Sequence, residues 1–307
     1  MIKQKYFIIT VDTEGDNLWT YKTGEKIGVE NAKFLPRFQS LCEEYGFKPV
    51  YLTNFEMANC PFFVEKAKQW LEKENCEIGV HLHAWNNPPI LNLEGTYNGN
   101  PYLIEYTEDI MEKKFDIIYN TIVSNFGISP VSHRAGRWAM DDCYFRLLEK
   151  YGIKVDCSHT PGINWSNIKG RTIGGSDYSK VSNNANFIGK VLEVPMTIVK
   201  SYKPNNGSIK HRLKTMVVGQ KVWVRPASSN YKMMKDCIDR VMDDSSIDYV
   251  EFMIHSSEVM PNGSPYFPTA DSVEKEYKII RQVFDYAKRC GYIGCTLKEY
   301  YNHYTKK

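Results

Sequence analysis

Two histidines separated by one residue, His81 and His83, close an apolar run, CEIGVHLHAW (76–85). Strand side chains alternate faces, so Ile78, Val80 and Leu82 point one way and Gly79, His81 and His83 the other. Two imidazoles on one face at adjacent positions form a short chelate able to hold one divalent metal. An isolated histidine in this place would more simply be a hydrogen-bonded strand end. The first such run, YFIITVDTEG (6–15), has the same construction: Phe7, Ile9 and Val11 share one face, and Ile8, Thr10, Asp12 and Glu14 the other. Acids at i and i+2 on a strand end can divide labour, one binding a metal while its neighbour takes a proton from water. The other use of TEGDN is a turn or helix cap. Two histidines and one carboxylate with an open position make a common catalytic zinc set.

Two further runs end in chemistry. PVSHRAGRW (130–138) supplies Arg134, which can hold a catalytic carboxylate ionised and oriented through paired hydrogen bonds or brace the barrel end as a salt bridge. Trp138 and Trp165 can stack on sugar rings or pack against neighbouring loops. YVEFMIHSSE (249–258) brings His255 to the same face as Glu251 and Met253. His255 suits a general acid, with a third metal ligand or a loop anchor as the competing roles. Glu258 either orients His255 or binds substrate.

The elements that must position these ends alternate regularly. Apolar residues at helical spacing fill 31–45, 61–73, 108–126, 141–152, 231–243 and 271–290, each followed by a short strand-like run. Asp271 and Glu274 form a capping-box pattern at the last helix. Six helix-then-strand repetitions predict an α/β fold with a parallel sheet, in which the carboxyl ends of the strands converge on one mouth. Residues 158–222, rich in Gly, Asn and Ser, read as a long loop insertion over that mouth. No linker divides the chain, so residues 1–307 are expected to form one domain.

Composition narrows the function class. The net charge of +3 and a pI near 8.3, with no concentrated basic block, give no support for a nucleic-acid partner. There is no run of about 20 apolar residues that would span a membrane and no signal-peptide core, so a cytoplasmic location is expected. No GxGxxG follows the first strand, which argues against a dinucleotide. The eight cysteines lie scattered without a CxxC pair, as expected of reduced, buried thiols.

The order of acid pair, histidine pair, arginine segment, Asp/Trp segment and late histidine resembles the polysaccharide deacetylase, or NodB-homology, family across nearly the whole chain. EIGVHLHAW followed by PP, HRAGRW and MIHSSEVMPNGSPY resemble most the branch found with bacterial surface-polysaccharide (O-antigen or capsule) biosynthesis. The resemblance implies a distorted (β/α) barrel of seven or eight parallel strands. It also implies a hydrolase that removes N-acetyl groups from amino sugars with one divalent metal, usually zinc. Carried over by position, Asp12 matches the general base. Thr13 stands where the metal carboxylate is normal, so Glu14 takes that place. His81 matches the first metal histidine, and because the usual partner's position is Trp85, His83 takes its role. Arg134 matches the third-motif arginine, although RAGRW replaces Arg-x-Pro. Asp156 and Trp165 loosely match the motif that orients the acid and lines the pocket, and His255 matches the late histidine. The expected substrate is a nucleotide- or lipid-linked amino sugar. Competing readings are hydrolysis of another non-peptide C–N bond without metal, or a non-catalytic saccharide-binding protein. A glycoside hydrolase fits poorly, because Asp12 and Glu14 are adjacent same-face positions and do not flank a bond.

Overall fold

The computed structural model describes residues 4–21, 25–203 and 208–306. Among them the strands are β1 (Tyr6–Thr13), β2 (Pro49–Thr53), β3 (Glu77–Leu82), β4 (Ser132–Ala135), β5 (Val155–Asp156), β6 (Asn186–Ile188), β7 (Val191–Glu193), β8 (Ile198–Ser201), β9 (Gln220–Trp223), β10 (Tyr249–His255) and β11 (Ile293–Gly294). The helices are α1 (Leu35–Glu44), α2 (Phe55–Ala58), α3 (Pro61–Glu72), α4 (Glu108–Phe126), α5 (Asp142–Lys150), α6 (Ile209–Val218), α7 (Tyr231–Asp243), α8 (Ala270–Arg289) and α9 (Leu297–Tyr304).

The curled sheet runs β10-β1-β2-β3-β4-β5-β7-β6, with β11 filling the edge of β1 below β2. Every pairing is parallel except β6 with β7. This is the expected α/β, distorted (β/α) barrel. Its wall is not a continuous ladder. Between β7 and β10 it is closed by residues 195–197, where Tyr249 Oη donates to the Pro195 carbonyl and Glu251 N to Thr197 Oγ1, both within 3 Å. The β8–β9 hairpin attaches beside this gap through a parallel bridge from Val224 to Phe252.

Apolar helix faces cover the outside of the sheet. Phe38 and Leu41 of α1, Phe63 and Ala67 of α3, and Phe115, Ile118 and Ile122 of α4 are buried against it. Burying each such side chain contributes about 1.5–3 kcal/mol. Phe7, Phe47, Phe252 and Phe284 form one aromatic knot there. Helix ends are set locally: Pro61 opens α3, Asp141 accepts from Tyr144 N at α5, and Gly127 closes α4 in the left-handed region. At α8 the reciprocal cap is made by Thr269 and Ser272, not by Asp271 and Glu274. The hydroxyl pair sits two residues earlier and leaves both acids on the solvent side.

The 158–222 segment is more than a loop. After an irregular stretch it contributes the β6–β7 hairpin, whose second strand joins the barrel beside β5, then β8, α6 and β9.

Candidate active site

The carboxyl ends of β1, β3, β4 and β10 surround a cavity of about 320 Å3. Pairing register explains the convergence. Asp12 lies level with His255 across β1–β10, and His81 level with Arg134 across β3–β4. Glu14 and His83 are one residue past their strands and turn toward the same space. Two glycines permit this crowding. A β-carbon on Gly79 would lie 2.4 Å from Ser132 Oγ, and one on Gly136 would lie 2.6 Å from His83 Nδ1.

Glu14, His81 and His83 are buried, and one ligand atom from each falls within 4.8 Å of the others. Glu14 Oε2 is 2.7 Å from His83 Nε2 and 3.4 Å from His81 Nε2. The two rings stand edge to face at 89°, so their Nε2 atoms approach from different directions. His81 Nδ1 is 2.9 Å from the Arg134 carbonyl, which can only accept, so Nδ1 carries a proton and Nε2 is the nitrogen turned inward to Glu14; burial pulls His81 down, but the Asp12 charge and the Glu14 hydrogen bond raise it. Burial pushes Glu14 up, but hydrogen bonds from His81 and His83 outweigh it and hold the carboxyl well below its usual range. Burial also pulls His83 toward the neutral form. An ionised carboxylate faced by the Nε2 atoms of two buried imidazoles fits a zinc-type divalent ion, which would take the place of the protons now shared there.

Asp12 sits against Arg134, the largest fully buried side chain among the described residues. Arg134 Nη1 donates to Asp12 Oδ1 at 2.5 Å. Its Nη2 donates to Thr10 Oγ1 at 2.9 Å and to Glu251 Oε1. Trp138 covers the guanidinium with its ring, 5.0 Å from the centroid. Burial pushes Asp12 up, yet the Arg134 charge prevails and keeps it below the usual carboxylate range. Glu251, deeper and sharing the same cation, is pushed by burial up to about 7.

Opposite, His255 Nε2 faces Asp12 Oδ2 at 3.7 Å and Glu14 Oε1 at 3.8 Å. Its Nδ1 lies 3.1 Å from Arg225 Nη2 and 3.4 Å from Glu258 Oε1. Glu258 also accepts from Arg225 Nη2 at 3.0 Å and from His255 N at 3.0 Å. Burial opposes its charge, but Arg225 holds Glu258 at about 2. Trp19, anchored through Nε1 to Ser257 Oγ at 2.9 Å, packs its ring edge to face with His255.

The structure thus gathers Asp12, Glu14, His81, His83, His255 and Trp138 on the cavity wall. Arg134 lies immediately behind Asp12 and Glu258 behind His255. Asp156 and Trp165 stand elsewhere. Asp156 belongs to a buried chain in which Tyr144 Oη meets His133 Nε2 at 2.7 Å, His133 Nδ1 meets Asp156 Oδ1 at 2.6 Å, and Ser158 Oγ donates to Asp156 while accepting from Ala135 N. That chain braces the end of β4. Trp165 donates to Thr160 Oγ1 within the irregular stretch after β5.

Trp19, Trp85, Arg137, Arg225 and Glu251 join the site without having been assigned to it from sequence. Only Glu251 carried a signal, its shared face with His255. The others sit in turns whose fold-back no local pattern encodes. Arg137 and Trp138 adopt consecutive left-handed conformations, φ 57° and 63°. Such positions are costly for side-chain-bearing residues. Here Arg137 is clamped over the Tyr102 ring, 4.1 Å from its centroid, while Tyr178 Oη donates to the Trp138 carbonyl.

No protein-family model and no curated protein matches the sequence. Solved structures do match in fold. A Mycobacterium smegmatis protein described as a polysaccharide deacetylase aligns over 97% of this chain and 95% of its own, at 12% identity and a TM-score of 0.50. A 4-alpha-glucanotransferase from Thermococcus litoralis aligns over 97% of this chain and 40% of its own, at 12% identity and a TM-score of 0.55. A GH57-type branching enzyme from Pyrococcus horikoshii aligns over 98% and 70%, at 10% identity and a TM-score of 0.55. At these identities the likeness establishes a shared barrel fold.

Proposed function

We propose that this protein is a metal-dependent hydrolase that removes an N-acetyl or related N-acyl group from an amino sugar. The carrying observation is the convergence of Glu14, His81 and His83 beside an arginine-paired Asp12, with His255 facing it. A zinc-type ion held by Glu14, His81 and His83 would polarise the amide carbonyl and acidify water. Asp12, kept ionised by Arg134, takes the proton of the attacking water at Oδ2. His255, with its Nδ1–H directed to Glu258 Oε1, then delivers the Nε2 proton to the departing sugar amine and is left as the neutral ring, releasing acetate and a free amine. Trp19, Trp85 and Trp138 on the cavity wall offer faces for a sugar ring, and the shared fold with carbohydrate-active proteins supports a saccharide. Arg137 at the same wall suits a substrate with an anionic group, as in a nucleotide- or lipid-linked precursor of a surface polysaccharide handled in the cytoplasm. Asp156 and Trp165 act in this scheme by shaping the barrel end, and Glu258 by orienting His255.

Glycosyl transfer or hydrolysis on this fold needs two carboxyl groups flanking the bond. The acids on this cavity wall are Asp12 and Glu14, from one strand end, and Glu14 is turned onto two imidazoles.

The test is metal content with acetate release. About one equivalent of zinc in the wild type, lost in His81→Ala/His83→Ala, with acetate freed from N-acetylamino sugars linked to a nucleotide or lipid, supports the assignment. A wild type that binds no metal after reconstitution and frees no acetate overturns it.

A further inference from the structure

From Val194 to Lys235 the chain holds nine lysines and arginines and no aspartate or glutamate, although the whole sequence carries 36 acids in 307 residues. Inside that stretch lies α6, joined to the body by the β8–β9 hairpin. Ile209, Leu213, Met216 and Val217 occupy positions i, i+4, i+7 and i+8, one face of a helix. They are between 58 and 80% exposed, an arrangement that leaves four large apolar side chains in water. Thr215, on the opposite side, is buried against the body. Lys210 and Lys214 flank the apolar stripe on one side and Arg212 on the other, by the same helical spacing. Lys200, Lys203 and Lys221 sit at the hairpin ends beside it.

Asp236 pairs with Lys203 at the hairpin end, 2.8 Å away, but the helix itself carries only cations beside its apolar stripe, and that pattern complements one kind of surface: a bilayer leaflet rich in anionic headgroups. There the stripe enters the acyl boundary while the cations meet phosphates. A nucleic acid would leave the stripe in water, and among the described residues no helix is long and apolar enough to cross the membrane. We propose that α6 is an interfacial docking helix that seats this protein on an anionic phospholipid surface. The hairpin then links docking to the cavity. Trp223, at the end of β9, packs against Trp138 with centroids 5.8 Å apart, and Arg225, two residues on, reaches His255. Six residues separate Val218 from Arg225, a span of at most about 24 Å of extended chain. A docked α6 therefore holds the cavity near the headgroups. Resting on the deacetylase reading for its substrate, this selects a lipid-linked amino sugar over a nucleotide-linked one.

The test is co-sedimentation of the full chain with phosphatidylcholine vesicles containing about one-third phosphatidylglycerol, against pure phosphatidylcholine, at low and high salt. The expected result is salt-sensitive binding to the anionic vesicles, about tenfold weaker to the neutral ones, and about tenfold lost in both Leu213→Ser/Val217→Ser and Lys210→Glu/Lys214→Glu. All four positions are exposed, so the variants should keep the wild-type thermal unfolding profile. A wild type that stays in the supernatant, or binding that both variants leave unchanged, overturns the docking. So does self-association in sedimentation velocity that Leu213→Ser/Val217→Ser abolishes while no vesicle is bound, since a second copy then covers the stripe. Vesicle binding without acetate release from any lipid-linked amino sugar overturns the deacetylase reading and leaves the docking intact.

Discussion

Arg134 reaches Asp12 across the barrel interior from a strand three places away in the sheet, and one guanidinium serves both Asp12 and the deeper Glu251. Two carboxyl groups sharing one buried cation cannot both be fully neutralised by it. The geometry resolves the competition in favour of the cavity: Asp12 is kept ionised, and Glu251 is pushed up to about 7. Neutralising Asp12 would have spared desolvation, so its charge is held against that cost, which is what the base role proposed for it requires.

Replacing Arg134 should therefore be among the most damaging changes in the chain. Arg134→Met leaves Asp12 buried beside Glu251 with no cation, and about 3–5 kcal/mol of unfolding free energy should be lost. Arg134→Lys restores a charge but not the fork, so stability should recover more than turnover does. Urea unfolding and acetate release measured on both variants check this. Equal recovery of both quantities by lysine would show that Arg134 only balances charge.

Asp12→Asn separates base from ligand. The amide keeps a partner for Arg134 but cannot take a proton. Turnover should fall about a hundred- to ten-thousand-fold while metal content stays at the wild-type level. His81→Ala/His83→Ala should lose metal and turnover together. Metal analysis beside initial rates distinguishes them, and an active Asp12→Asn enzyme would remove Asp12 from the base role.

How far the sequence reveals this site depends on what builds each part. The ends of β1, β3, β4 and β10 are legible because an apolar alternation fixes which side chains face inward, and six of the expected residues do meet on one wall. The β6–β7 hairpin is not legible. Three residues of β7 between Gly189 and Pro195 show no period, and their place beside β5 is a tertiary choice. Asp156 shares its neighbourhood with Arg134 in sequence order, but pairing of β4 with β5 puts it level with His133, on the helix-facing side. The basic segment escapes notice for a different reason. Its cations are spread over 42 residues, and only the absence of acids between them distinguishes the stretch from the rest of the chain.

Arg225 should act on turnover through His255. Its Nη2 lies within 3.1 Å of both His255 Nδ1 and Glu258 Oε1, so it fixes the ring and compensates a fully buried carboxylate. Arg225→Met should lower kcat about ten- to a hundredfold. Arg225→Lys should restore Glu258's compensation and part of kcat. If Arg225 instead contacts only the substrate, KM should rise in both variants with kcat unchanged. Steady-state kinetics on one lipid-linked substrate separate the two.

Glu276 offers a prediction outside the catalytic wall. Its side chain on α8 is fully buried, and neither carboxyl oxygen has a hydrogen-bond partner. Burial, reinforced by the negative charge of Glu258, pushes it up to about 10. In the unfolded chain a glutamate ionises near 4.3. Between those values the unfolded state has shed a proton that the folded state still holds. Stability from this group is thus complete below about pH 4 and declines as pH rises toward 10, by about 1.4 kcal/mol per pH unit. Glu276→Gln removes the titration. The variant should match the wild type near pH 4 and exceed it by about 4 kcal/mol at pH 7. Urea unfolding of the two proteins at several pH values provides the comparison. Parallel stability curves would mean that Glu276 is ionised in the folded protein and has found a partner.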